Sequence, residues 1–332
     1  MKKLLVFSLL FLCVSAGFLD QFRQFINKYR KNYERLSAVE RSIRQRNFLK
    51  NLNLIERFNK ALKNRFKIGT NEFSDLDPKQ FVNQMCGTRI PRTPRSLPAS
   101  NYYFYGNIPE SVDWRRYAQP IAHQGGCGAC WAFSATSVVE FFNVIKGNWN
   151  YTISKQNLID CDNEDFGCNG GWPMTALDFL KDSYGNKLAK EVDYPFIGVK
   201  TSCRKVKSYT KLNIGKTFQI QIKGNDTALK SIIANHGPVA AAMLVPDSGL
   251  LQLYESGIFS DPSCPDATID TNDCFNVNHG VVIVGYGKDS TTNEQYWIVR
   301  NSWGSNWGES GYFRLAMVKN ACNIACYAIG VE

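Results

Sequence analysis

Two cysteines three positions apart, Cys127 and Cys130 in the stretch "GGCGACWAFSA" (125–135), are the residues most able to do chemistry. A Cys-x-x-Cys pair is typical of redox dithiols and of half of many zinc sites. A zinc site needs two more ligands, but none of the three histidines is paired with another and no second Cys-x-x-Cys exists. A redox dithiol usually lies in a small βαβ unit, and no such pattern surrounds this pair. The sequence favours a third interpretation, in which the two cysteines have separate roles.

Cys130 is predicted to lie at a helix N-terminus, because Gly125, Gly126 and Gly128 form a tight loop and the apolar segment 130–146 has helical spacing. That position favours an anion. Lowering a thiol pKa from about 8.5 to the roughly 3–4 of paired catalytic thiols corresponds to about 6–7 kcal/mol. A helix terminus supplies at most about 2 kcal/mol, so a nearby cation shielded from water must supply the rest. The expected cation is an imidazolium.

The three histidines differ in their sequence context. His236 lies at a predicted helix end, where we expect a surface cap, and His123 lies in the cysteine loop, where we expect a local role. His279 begins the strand "HGVVIVGYG" in the other half of the chain and can meet Cys130 across a groove. Asn301 follows another predicted strand and would orient the His279 ring, while Trp303 would shield the contact from water.

The elements that must position these residues fall into two halves. The first half of 108–332 has helical signals at 130–146 and 171–182, whereas the second half has short β-rich runs separated by turns. This order predicts an α+β protein with a groove between two lobes. Upstream, 20–63 has the charged, amphipathic pattern of helices, and 87–101 has the Pro, Arg and Ser content of an exposed linker open to proteolysis.

The net charge of +10 is unevenly distributed. Residues 17–106 contain 18 lysines and arginines against 7 acidic residues, whereas residues 107–332 contain 19 against 22. The positive excess therefore belongs to one N-terminal segment, and we do not take it as a sign of a nucleic-acid partner.

Residues 1–16 have the pattern of a secretory signal, in which Lys2 and Lys3 precede an apolar run that ends in small residues at Ala16. The run is shorter than the ~20 apolar residues of a membrane span, and no later segment is long and apolar enough. We expect a soluble protein of the secretory pathway, lysosomal or extracellular, with the digestive lumen included. Disulfides persist there, and the sequons at Asn150 and Asn225 are expected glycosylation sites.

Four motifs, in family order, resemble the papain family of cysteine proteases: "QGGCGACWAFSA" (124–135), "GCNGG" (167–171), "NHGVVIVGYG" (278–287) and "NSWGSNWGESGYF" (301–313). Cys-Gly-(Ser/Ala)-Cys-(Trp/Tyr) with a distant His and Asn is the local signature of that family. The N-terminal segment resembles the inhibitory proregion of the cathepsin L-like branch. Its six signature residues share one helix face, namely Glu40, Arg44, Phe48, Asn51, Ile55 and Asn59. The stretch "GTNEFSD" (69–75) matches the second proregion motif.

The resemblance implies an α+β fold with a helical left lobe and a β-barrel-like right lobe, preceded by a helical inhibitory proregion. It divides the chain into a signal peptide (1–16), a propeptide (17–106) and a protease domain (107–332). The implied activity is that of a cysteine endopeptidase made as a zymogen. Its implied partners are protein and peptide substrates, its own propeptide and cystatin-like inhibitors. The resemblance implies a monomer and calls for no cofactor and no metal.

The resemblance also implies roles for individual residues. Cys130 would be the nucleophile, His279 the acid and base and Asn301 its orienter, while Gln124 and the Cys130 backbone N–H would form the oxyanion hole. Eight residues would bind substrate: Gly170, Gly171, Trp172, Pro173, Val277, Asn278, Trp303 and Tyr327. The four assigned to the S2 pocket (Trp172, Pro173, Val277 and Tyr327) are apolar or aromatic. We therefore expect a hydrophobic residue two positions before the scissile bond (P2).

Three of the eleven cysteines are set aside: Cys13 in the signal, Cys86 in the proregion and Cys130 as the free thiol. The pairings implied by the family are Cys127–Cys168, Cys161–Cys203 and Cys264–Cys322, and we predict a fourth bridge from Cys274 to Cys326. Two features depart from the family pattern: the 265–278 loop looks long, and His123 stands where the pattern has asparagine.

Two other functions remain open at this level. A papain-fold binding or storage protein would lack catalysis, and an inhibitor would have 17–106 as its functional product. We further hypothesise that ion pairs help to hold the basic proregion across the acidic protease body. Acid would then weaken this contact and permit cleavage near Asn107.

Overall fold

The computed structural model of the chain describes residues 17–61, 65–91, 97–98, 108–147, 149–264, 274–318 and 320–332. The predicted signal peptide, most of the predicted linker, the cleavage position near Asn107 and the first part of the 265–278 loop lie outside the described residues.

The described helices lie mainly in the predicted proregion and in the first half of the predicted protease domain. They are α1 (17–28), α2 (Ala38–Lys60), α3 (Pro78–Met85), α4 (Cys130–Lys146), α5 (Lys155–Cys161), α6 (Pro173–Asp178) and α7 (Asp226–Asn235). The predicted start at Cys130 is confirmed. The predicted helix at 171–182 begins at Pro173, because proline suits a first helical turn, and ends in a π-turn.

The proregion helices form a small core of their own. Ser37 caps α2 and pairs reciprocally with Glu40, which fixes where the helix begins. Phe22 and Phe25 of α1 pack against Phe48 of α2, and all three are buried. The predicted proregion therefore presents a folded surface, and not an unfolded peptide, to the rest of the chain.

The second half of the body is built on a long, mainly antiparallel sheet. Its strands are β1 (Phe66–Ile68), β2 (Leu97–Pro98), β3 (Val112–Asp113), β6 (Thr217–Gln221), β7 (Val239–Met243), β8 (Tyr254–Phe259), β9 (His279–Lys288), β10 (Gln295–Arg300), β11 (Tyr312–Ala316) and β12 (Tyr327–Val331), while β4 (Lys187–Leu188) and β5 (Thr210–Lys211) pair separately. The order is β1-β8-β11-β10-β9-β7-β12-β6-β2, with β3 on β9. Strands of the predicted propeptide (17–106) thus occupy both ends of the path.

Two apolar cores lie on either side of the central strands. One contains the sheet interior together with Phe73 and Phe81 of the proregion, and the other joins α4 and α6 to β7, β9 and β12. Gly280 lets α4 approach β9 closely, since a Cβ there would lie only 3.1 Å from the Cys130 carbonyl oxygen. This contact brings the start of α4 beside the start of β9, and so beside His279.

Four disulfides join the pairs that the sequence resemblance and the leftover cysteines suggested: Cys127–Cys168, Cys161–Cys203, Cys264–Cys322 and Cys274–Cys326. Cys86 and Cys130 are free. Within the described ranges, no helix has both the length and the apolar character that a bilayer span needs.

Candidate active site

Cys130 is the first residue of α4 and is fully buried. The loop before it is tied down by the Cys127–Cys168 disulfide and by a hydrogen bond from the Gly128 N–H to the Cys168 carbonyl (3.0 Å). Ala129 offers no side-chain cap to the first turn of α4, and its carbonyl oxygen accepts from the Ala132 N–H (2.8 Å). The two cysteines of the opening motif therefore differ in chemical state: Cys127 forms a disulfide, and Cys130 remains a thiol.

His279 is buried at the start of β9, and Asn301 follows the last residue of β10. The His279 Nε2 lies 2.9 Å from the Asn301 Oδ1, which also accepts from the Ser302 N–H (2.8 Å). Because that oxygen is an acceptor in both bonds, the His279 Nε2 carries a proton and the neutral ring presents Nδ1 as its lone pair. The Trp303 ring packs on the imidazole, with centroids 4.8 Å apart.

The pKa of the Cys130 thiol is set by opposing effects. Burial is the largest single effect and raises the pKa, but the hydrogen bonding and charge of the His279 imidazole, with smaller contributions from Thr88 and the Gly280 N–H, together outweigh it. The net pKa falls from 9.0 to about 7. Among the described residues, the buried His279 Nδ1 has no hydrogen-bond partner of good geometry, which leaves its lone pair available to the Cys130 thiol. Sequence reasoning suggested a deeper fall, but the proregion covers the sulfur and withholds water from the thiolate.

The proregion touches the sulfur directly. The Gly87 N–H donates to the Cys130 Sγ (3.3 Å), and the Thr88 hydroxyl lies 3.4 Å from it. Gln124 is buried beside them, and its Nε2 donates to the Met85 carbonyl oxygen (2.8 Å). A proregion carbonyl oxygen thus accepts from the Gln124 amide that the family resemblance assigned to the oxyanion hole.

The proregion continues along the predicted glycine strip. The Arg89 N–H donates to the Gly171 carbonyl (2.8 Å), and the Gly171 N–H donates to the Gly87 carbonyl (2.9 Å). On the facing side, the Thr88 N–H donates to the Asn278 carbonyl (2.9 Å). Gly170 beside the strip has a φ of +114°, which favours glycine.

The residues assigned to the S2 pocket lie together but differ in exposure. Trp172 and Tyr327 are buried and pack edge to face at 5.7 Å, and Pro173 is buried as well. Val277 is half-buried and packs against the same apolar core, as does the proregion residue Ile90. Met174, which sequence reasoning missed, is also half-buried against this core.

Two buried carboxyl groups behind the glycine strip were also missed. Asp165 Oδ1 accepts from the Trp172 N–H (2.9 Å), and Asp162 Oδ1 accepts from the Glu164 and Asp165 N–H groups. Burial, and then the charge of Asp162, raise the pKa of Asp165 to about 8, and burial also raises the pKa of Asp162. No sequence motif pointed to this pair, because neither residue belongs to a recognised catalytic pattern.

The remaining predicted positions lie at the surface or in local contacts. Asn150 and Asn225 are exposed, and Asn225 caps α7 through its side-chain oxygen. His236 is the C-cap of α7, as expected, but it is half-buried. His123 accepts from the Gly125 N–H (2.8 Å), which is the local role expected for it.

Comparison with known proteins places this site in context. Residues 108–331 match the profile described as papain family cysteine protease, and residues 22–81 match the cathepsin propeptide inhibitor domain. Digestive cysteine proteinase 3 of Homarus americanus is 34% identical, over 95% of this chain and 96% of its own. Cathepsin L of Sarcophaga peregrina is 33% identical, over 90% of this chain and 88% of its own.

A solved structure has the same architecture. Digestive procathepsin L 3 of the Tenebrio molitor larval midgut aligns with a TM-score of 0.80 at 31% identity, covering 95% of this chain and 99% of that one. The Cys130 thiol is buried behind a covering segment, His279 lowers its pKa, and Asn301 holds the imidazole. Together with these matches, the geometry shows that the chain belongs to the papain family of cysteine proteases, as a cathepsin L-like zymogen with its inhibitory proregion.

Proposed function

We propose that Cys130 is the nucleophile and His279 the acid and base of this endopeptidase, with Asn301 holding the ring. The observation that carries the proposal is the 2.9 Å contact of the His279 Nε2 with Asn301, together with the lowered pKa of Cys130. The thiolate attacks the peptide carbonyl and forms a tetrahedral intermediate. The Gln124 Nε2 and the Cys130 N–H stabilise its oxyanion. His279, which has taken the proton of the Cys130 thiol, then protonates the leaving amine, and the amine departs from a thioester on Cys130. A water molecule hydrolyses this thioester, which frees the acid and restores the thiol.

The chemistry assigns a direction to the groove. The leaving amine must lie on the side of His279 and Trp303, so the acyl part of a substrate lies along Gly170 and Gly171. The proregion instead runs from Phe81 on Trp303 to Arg89 on Gly171, which is the opposite chain direction. It therefore occupies the groove without presenting a peptide bond for cleavage.

We infer a preference for hydrophobic residues at P2. The half-buried surface of Val277 and Met174 lies against the core that contains Trp172 and Tyr327, and proregion Ile90 packs there. None of the four residues assigned to this pocket is acidic, which disfavours arginine at P2. We also propose the division into propeptide 17–106 and protease 107–332, and a location in the lysosome or outside the cell.

The nucleophile is tested by Cys130→Ala, with Cys86→Ala as the matched control. After processing, the Cys130 variant should lose at least about 10⁴-fold in kcat/KM on a peptide with an apolar P2 residue, because a catalytic nucleophile contributes about 10⁶ in rate. The Cys86 control should retain activity, since Cys86 leaves with the proregion. Comparable activity of the Cys130 variant would contradict the proposal, and so would activity that survives complete alkylation of Cys130.

A further inference from the structure

His123 has a fixed and unusual set of hydrogen bonds. Its Nδ1 accepts from the Gly125 N–H (2.8 Å), so the ring proton is on Nε2. That Nε2–H donates to the Oε2 of Glu72, at 2.8 Å, in the proregion. The body therefore holds one imidazole N–H in a defined direction, and a carboxylate from the inhibitor accepts it.

The position of His123 relative to the reacting groups is equally well defined. It directly precedes Gln124, and its backbone forms a bridge with Trp303. Its ring packs on Gly304, where a Cβ would lie 2.8 Å from the His123 Cδ2. Since Trp303 also covers His279, the His123 Nε2–H lies on the side of the groove that receives the leaving group.

Release of the proregion uncovers the surface around the His123 Nε2–H. Glu72 and Phe73, whose ring is 6.0 Å from that of His123, both depart. The cavity there, of about 320 Å³, is lined mainly by proregion side chains, with His123, Gly125 and Gly126 as its contribution from the body. The His123 side chain is already 37% exposed before release. In the mature enzyme the His123 Nε2–H thus keeps its orientation but no longer has the Glu72 carboxylate as its acceptor.

We propose that His123 is a specificity-determining residue of the mature protease, whose Nε2–H receives the carboxylate of an acidic side chain among the first three residues after the scissile bond. Glu72 is the intramolecular stand-in for that side chain. The inference rests on the proposed roles of Cys130 and His279, which define the leaving-group side. A general electrostatic attraction of the protease domain for acidic peptides would not explain such a preference. Residues 107–332 contain 19 basic against 22 acidic residues, so the domain has a net negative charge.

The test uses the processed enzyme and three pairs of quenched peptides with an identical apolar P2 residue. Each pair carries Glu or Gln at the first, second or third position after the scissile bond. The assay runs at pH 5.5, where an ordinary glutamate side chain is ionised. At one position at least, kcat/KM for Glu should exceed that for Gln by about threefold to fivefold, the range of an exposed charged contact. His123→Asn should bring that ratio to about one, whereas His236→Asn, the same exchange at the end of α7, should not.

The outcomes separate this inference from the proposed function. Cleavage with Glu-to-Gln ratios within twofold of unity at all three positions would overturn the role of His123 and leave the catalytic assignment intact. A Glu preference that survives in His123→Asn would also overturn it. Failure to cleave any peptide, with Cys130 unreactive toward iodoacetamide, would overturn both.

Discussion

The helical part of the proregion (17–85) and the strap that follows it (86–91) contact the same enzyme in different ways. The helical part pairs its strand β1 with β8 and adds the large apolar contacts: Phe81 is buried on the Trp303 ring at 4.8 Å, and Phe66 lies 5.0 Å from Phe259. The strap binds mainly through its backbone: the Gly87 N–H donates to the sulfur, and the Arg89 N–H and the Gly87 carbonyl pair with Gly171. We infer that the helical part supplies most of the binding affinity and that the strap blocks access to the Cys130 sulfur.

The magnitudes support this division of labour. Burying a phenylalanine side chain and then truncating it costs about 3–5 kcal/mol, whereas one hydrogen bond contributes a net of about 0.5–1.5 kcal/mol. Ion pairs add less: among those of the described residues, Arg65–Glu294 and His123–Glu72 cross between proregion and body, and exposed pairs contribute about 0–1 kcal/mol. Apolar packing therefore outweighs the charge difference that the sequence emphasised.

The largest expected effect comes from the helical part. Phe81→Ala should raise the rate of Cys130 alkylation in the intact zymogen by about a hundredfold, because losing a few kcal/mol of packing favours the open state. The measurement is the mass of the Cys130 peptide over time. Val39→Ala, at a side chain 69% exposed on α2, is the control and should change nothing. Equal rates for Phe81→Ala and the wild type would show that the helical part does not supply the affinity.

A smaller effect should come from the strap alone. A Cβ at Gly87 would lie 1.9 Å from the Gly128 carbonyl oxygen, so Gly87→Ala must lift the strap from the sulfur. Losing two or three backbone hydrogen bonds should speed Cys130 alkylation by about tenfold. Amide exchange in β1 and β8 should stay slow, since the helical part remains bound.

The control for this variant is Gly17→Ala, because a Cβ at Gly17 meets nothing within 4 Å. Two results would erase the distinction between the two parts: fast exchange in β1 alongside fast alkylation, or a Gly87→Ala zymogen as unreactive as the wild type.

The smallest effect concerns the strip that receives the strap. The raised pKa of Asp165, about 8, means that the folded state binds more protons than the unfolded state between about pH 4 and pH 8. The contribution of Asp165 to stability therefore falls as pH rises through that window. In Asp165→Asn the amide stays neutral, its oxygen can still accept from the Trp172 N–H, and its nitrogen can donate to Asp162.

In a Cys130→Ala background, the loss of Tm from pH 5 to pH 8 should be smaller in Asp165→Asn than in the wild type, by at least about 2 °C. The exposed Asp193→Asn is the control and should follow the wild-type profile. A profile of Asp165→Asn parallel to that of the wild type would mean that the carboxyl pair carries no excess proton.

Much of the site could be predicted because its chemistry is local. A glycine loop followed by an apolar helix places Cys130 at the first turn, and a strand that begins with histidine places His279 at a sheet edge. Asn301 followed from its position after another strand. The cysteine count suggested the Cys274–Cys326 bridge that the structure contains.

The remainder depends on contacts between residues far apart in the chain. His123 meets Glu72 across 51 positions, and Gln124 meets the Ser302 hydroxyl across 178, with no pattern that links them. Strand β1 is three residues long, too short for periodicity to reveal it. The pKa of Cys130 could not be foreseen, because burial opposes the effect of His279 and no motif predicts that Gly87 and Thr88 contact the sulfur.

The ends of the sheet carry a consequence for the processed enzyme. Strands β1 and β2, which both belong to the proposed propeptide, are the two edge strands of the sheet and pair with β8 and β6. When they depart, two rows of amide and carbonyl groups, and the aromatic surface of Phe259, meet solvent for the first time. Maturation thus exposes two unpaired sheet edges, which can pair with other chains, at the same time as it uncovers the Cys130 thiol. The zymogen is therefore the form better suited to storage at high concentration.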